Sequence, residues 1–164
     1  MTGFEHALGA LMIGRGMVQE GVQVVGAVRR RHDGLARNPW DEPEYGHHYA
    51  RAMASWSSLV AWSGFRYDAR DHVVYLRPAS GGSIRSFWSS ATGWGTFTYE
   101  PGIGRSKLRL SLLEGELVLA RISLPPFGTT RTVLTLDGQP LPHEVEPAKA
   151  ATVLNFAERT LRAG

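Results

Sequence analysis

The apolar spacing of this chain changes period near Gly64. A switch from a repeat of about 3.6 to a repeat of 2 restricts the chain to helices followed by strands. Before the switch, Met17, Val18, Val22, Val25 and Val28 recur at helical spacing, and Tyr49, Met53, Trp56 and Val60 line one face of a later helix. After it, short alternating runs lie between Gly, Pro and Asp, the mark of antiparallel strands. The reading is α+β, with helices over 1–65 and an antiparallel β-rich region over 66–164.

Local signals place the elements. Thr2 and Glu5 have the spacing of a capping box, in which Thr2 accepts from the third helical N–H and Glu5 reaches back, so a helix is expected over 3–13. The Gly14-Arg15-Gly16 interruption separates it from a second helix that ends in Arg29-Arg30-Arg31-His32, where cations meet the negative end of the helix dipole. A third helix is expected over 46–63 with Gly64 as its C-cap. Strands are expected over 73–77, 84–88, 94–99, 108–113, 117–124 and 132–136, with a last pair over 153–156 and 160–162. Glu114-Gly115 and Asp137-Gly138 read as hairpin loops. An amphipathic set of only three helices leaves an apolar face bare unless something covers it.

Composition removes several function classes. The absence of cysteine excludes disulfides, thiolate zinc sites and cysteine nucleophiles. The 18 Lys and Arg exceed the 15 Asp and Glu by three, and Lys107 and Lys149 are the only lysines, so the field is too weak to mark a nucleic-acid surface. No run approaches the roughly 18 apolar residues of a membrane span. The first residues lack the charged segment and small-residue cleavage site of a secretion signal, which leads to the expectation of a cytoplasmic location. Ala91-Thr92-Gly93-Trp94-Gly95 is glycine-rich but lacks the Lys-Ser/Thr of a phosphate loop, and it reads as tight turns around an aromatic core.

Chemistry-bearing residues concentrate over 37–51. Glu42 and Arg51 are nine apart and would face opposite sides of one continuous helix at about 100° per residue. They converge only if Glu42 lies in the loop before the helix, which Pro39 and Pro43 favour. A carboxylate accepting from two sugar hydroxyls beside a guanidinium that donates to them is a clamp for adjacent hydroxyls; the same pair also fits an ordinary salt bridge that fixes the loop. Trp40 is the aromatic best placed to stack on a sugar. His47 and His48 diverge by about 100° on a helix, so a hydrogen-bonding role at the helix start is expected rather than a metal site with Asp41 and Glu44. No cofactor is expected.

Trp40-Asp41-Glu42, Glu44-Tyr45-Gly46 and His48-Tyr49-Ala50-Arg51, continuing through Ala52-Met53-Ala54-Ser55-Trp56 to Ser63-Gly64-Phe65, closely resemble the last barrel helix of glycoside hydrolase family 116. This is the family of non-lysosomal glucosylceramidases and bacterial β-glucosidases. Phe87-Trp88 and the glycine-rich run after it resemble that family's segment following the barrel. The resemblance implies that the helices are the final ones of an (α/α)6 barrel. It further implies that Glu42 and Arg51 bind glucose hydroxyls and that His48 orients the loop. Tyr45 stands where the family often has Cys, which alters pocket packing and replaces neither ligand.

A retaining glycosidase needs two carboxylates about 5 to 5.5 Å apart. In family 116 they are a Glu nucleophile and an Asp acid/base on barrel segments before the matched region, so no catalytic residue is assigned here. The implied function is that of a C-terminal fragment of a β-glucosidase or glucosylceramidase-like enzyme, acting on a β-glucoside or glucosylated lipid with the barrel portion in cis or on another chain. The alternative is a non-catalytic carbohydrate-binding or partner module.

Overall fold

A computed structural model describes residues 1–42, 46–47, 52–103, 105–127, 131–148 and 150–163. The chain is α+β and divides into two compact units, Met1–Gly64 and Phe65–Gly164.

The first unit holds α1 (Thr2–Gly14), α2 (Val18–Arg31) and α3 (Ala52–Ser63), with α1 packed against both others. The buried stripe of α1 is Thr2, His6, Gly9 and Ile13, at helical spacing but mostly small or polar. Small residues there let α1 and α2 approach closely. A Cβ on Gly9 would lie 2.7 Å from Val25 Cγ2, and one on Gly21 would lie 2.6 Å from the Gly9 carbonyl oxygen. The large apolar residues of α1, Phe4, Leu8 and Leu11, form a second stripe that faces outward.

The expected capping box does not form. The Thr2 hydroxyl and N–H both turn to Glu42, while the Glu5 carboxylate receives Arg31 Nη2 at 2.6 and 2.7 Å. Long-range ionic partners thus replace the local reciprocal bonds. Gly64 does end α3, with φ +64° and its N–H on the Val60 carbonyl. Gly46 and His47 form a bend rather than the first turn of the helix expected there. Tyr49 lies outside the described residues, and Met53, Trp56 and Val60 share a face that is exposed.

The second unit is one seven-stranded sheet and a small hairpin. Its strands are β1 (Phe65–Asp68), β2 (Val73–Leu76), β3 (Ile84–Ser89), β4 (Gly93–Glu100), β5 (Lys107–Leu124), β8 (His143–Ala148) and β9 (Ala151–Arg162). The hairpin joins β6 (Thr135–Leu136) to β7 (Gln139–Pro140) through Asp137-Gly138. Both loop residues have positive φ, as a tight two-residue turn requires. All pairings in the sheet are antiparallel except β2 with β5.

β5 organises the sheet. Its first half pairs with β4, and its second half lies between β2 and β9. The expectation of two strands with a hairpin at Glu114-Gly115 is corrected here: these residues lie inside the single strand. Gly115 takes φ +79° against Thr92 and Gly93, and the register shifts two residues before it, where Leu113 has no partner between Trp94 and Gly95. A second irregularity falls at Ala120 and Arg121, whose N–H groups both donate to the His72 carbonyl, at 2.9 and 3.2 Å. Each bulge advances the side-chain alternation by one residue. Leu108 and Leu110, then Leu117 and Leu119, then Ile122 and Leu124 therefore keep to one face.

That face carries the core of Leu76, Trp88, Phe97, Leu117, Leu119 and Leu154, all nearly or fully buried. Phe65 stacks on Trp88 and Phe97 at centroid distances of 5.6 and 5.9 Å, and Trp88 Nε1 donates to the Ser111 carbonyl at 3.1 Å.

Candidate functional site

The loop from α2 to α3 is built from short polar turns. Asp33 Oδ1 accepts the Leu35 and Ala36 N–H groups at 2.9 and 2.8 Å, which holds its carboxyl below the usual carboxylate range, and Gly34 takes φ +92°. Asn38 Oδ1 then accepts from the Trp40 N–H at 2.9 Å. Side chains that mimic backbone turns explain why Asp and Asn occupy these positions.

Trp40 itself is 75% exposed, so its indole is presented rather than packed. Asp41 and His47 meet at 2.9 Å, Oδ2 to Nδ1, bridging the loop across six residues. Among the described residues no three His, Asp or Glu cluster as a metal site would require. Arg51 and His48, with Glu44 and Tyr45, lie outside the described residues.

Glu42 sits at the N-terminus of α1. Its Oε1 accepts the Thr2 N–H at 3.0 Å, and its Oε2 accepts the Thr2 hydroxyl. Thr2 is the first residue of α1, so its N–H is one of the donors that a helix leaves unmatched at its start. A carboxylate there also faces the positive end of the helix dipole. Glu42 thereby ties the loop to a helix 40 residues away in sequence.

Sequence reasoning missed the histidines beside this contact. His6 lies one turn beyond Thr2, and both His6 and His32 are 9% exposed. His32 Nδ1 is 3.2 Å from the Val28 carbonyl, which places its proton on that nitrogen. His32 Nε2 and His6 Nδ1 are buried with no hydrogen-bond partner. Burial lowers the His6 pKa, Glu42 and Glu5 act to raise it, and His32 lowers it further. The i, i+4 spacing of Thr2 and His6 is visible in sequence, but nothing in that spacing points to Glu42.

A pH effect follows from His6. A base whose pKa is depressed by folding binds fewer protons in the folded state, so stability is retained above the ordinary histidine value of about 6.5 and declines as pH falls below it. Thermal unfolding followed by helical circular dichroism should therefore show a lower midpoint at pH 5.5 than at pH 7.5, with a smaller difference in His6→Gln. An equal difference in the two proteins would rule out His6 as the source.

None of the described helices is long and apolar enough to cross a membrane. The chain matches no protein-family model and no curated protein sequence.

Proposed function

We propose that this chain is the C-terminal part of a retaining β-glucosidase or glucosylceramidase-like enzyme of the family 116 type, working in the cytoplasm and contributing Glu42 and Arg51 to a glucose subsite. The observation that carries this reading is the sequence run Trp40-Asp41-Glu42, Glu44-Tyr45-Gly46 and His48-Tyr49-Ala50-Arg51 that precedes α3. Two carboxylates on barrel segments outside this chain would perform the cleavage. Glu42 and Arg51 would hold the sugar, with Trp40 available to stack on it and His48 orienting the loop.

The helical unit supports the reading. Phe4 is 70% exposed, and Leu8 and Leu11 lie at half exposure or more on the same stripe of α1. Met53, Trp56 and Val60 form a comparable stripe on α3. Apolar stripes on two helices are what a barrel would leave if its other helices were removed.

Reading the coding DNA upstream of Met1 tests the proposal. An open frame running into a helical barrel that contains a Glu and an Asp across one pocket is the expected result. An in-frame stop overturns the cis arrangement, and a frame with no barrel overturns the glycosidase reading altogether.

A further inference from the structure

The second unit contains a cavity of about 720 Å³ that the glycosidase reading does not use. Its size falls within the range of small-molecule sites, roughly 300 to 1,000 Å³. Leu110, Leu119 and Ile122 of β5 line it with Leu154 and Phe156 of β9. The two bulges of β5 bring these apolar side chains to one face. The segment from Arg131 to Leu136 and the side chain of Leu141 also line it.

The charged residues lining this cavity are all cationic: Arg105, Lys107, Arg131 and Arg159. No carboxylate lines it among the described residues. Lys107 alternates with Leu108 and so directs its side chain to the other face of β5, where Glu100 stands opposite it, and Glu158, next to Arg159, bonds His72. Arg105 and Arg159 form no ion pair with a described residue. Ordinary core packing explains the leucines, and the exposed Arg105 and Arg159 give their margin a positive charge that no described carboxylate of the cavity balances.

We propose that this cavity binds a single-chain amphiphilic anion, with the hydrocarbon tail against the leucine and phenylalanine wall and a carboxylate head held by Arg105 and Arg159. Guanidinium groups suit a carboxylate because their donors match its two oxygens. The apolar wall supplies affinity and the cations supply the sign of the head group. This assignment stands independently of the glucose subsite.

Calorimetric titration of the full chain with octanoate, decanoate and dodecanoate, each below its aggregation concentration, tests it. One molecule per chain is expected, with affinity rising about tenfold for every two methylenes. Dodecyltrimethylammonium, with the same tail and opposite charge, should bind at least tenfold more weakly than dodecanoate. Raising the salt concentration should weaken dodecanoate alone, and Arg105→Glu with Arg159→Glu should abolish the preference for the anion. Failure to saturate, equal affinity for the two head groups, or a preference unchanged by salt would each overturn the proposal. So would a self-association, measured by sedimentation, that dodecanoate does not displace. The salt series uses the unaltered chain and decides the matter even if the double variant does not fold.

Discussion

In the barrel enzyme proposed above, Arg51→Met is expected to cost roughly a hundredfold in kcat/KM toward a chromogenic β-glucoside, and Glu42→Gln a comparable amount. A hundredfold corresponds to about 2.7 kcal/mol of transition-state stabilisation, the scale of a lost charge-assisted hydrogen bond plus some misplacement of the sugar. The two differ in what else they disturb. Glu42 also receives the N–H and hydroxyl of Thr2 at the start of α1, so its substitution should lower the stability of the helical unit as well. Thr2→Val separates these effects, since it removes a hydroxyl from Glu42 without touching a proposed sugar ligand. It should lower the unfolding midpoint and leave kcat/KM within about twofold. Full activity in either Arg51→Met or Glu42→Gln would remove the sugar clamp from the proposal.

The second large effect is structural. Trp88→Ala should destabilise the strand unit by about 3 to 5 kcal/mol, the range for truncating a buried large aromatic. Trp88 is 1% exposed, stacks on Phe65 and bonds the Ser111 carbonyl. Its removal opens a void beside Phe65 and leaves that carbonyl without its indole donor. Trp88→Phe keeps most of the ring contact and loses the N–H, so a smaller cost of about 1 to 2 kcal/mol is expected. Urea unfolding monitored by strand circular dichroism measures both, and equal midpoints for Trp88→Ala and the parent chain would contradict the described core.

Much of this architecture was legible in sequence because it depends on local periodicity. The three helices, the ending at Gly64 and the Asp137-Gly138 turn all follow from spacing or from residues that tolerate positive φ. Glu114-Gly115 has the composition of a hairpin loop, and only pairing with β4 shows that the two residues continue one strand beside a bulge at Leu113. β8 was missed because Pro147 argues against a strand, although an edge strand tolerates it. β1 was missed because four residues directly after a helix cap carry too short a pattern.

The site divides in the same way. The loop placement of Glu42 could be read from Pro39 and Pro43. The contact with Thr2 could not, because it spans 40 residues and leaves no periodic trace. The outward stripe of α1 is an intermediate case: Phe4, Leu8 and Leu11 have the spacing of a core face, and only the fold shows that Thr2, His6, Gly9 and Ile13 are the buried ones.

The position of β5 also governs the order in which the unit can be completed during synthesis. β5 is made after β2 and β4, but its second half receives β9 only when residues 151–162 have been added. At about 5 to 20 residues per second, the 38 positions from Leu124 to Arg162 take on the order of seconds. Until β9 pairs with it, the second half of β5 presents an unpaired edge rich in leucine and isoleucine. A folding intermediate that lacks β9, rather than the finished sheet, is therefore the form of this unit most open to edge-to-edge association.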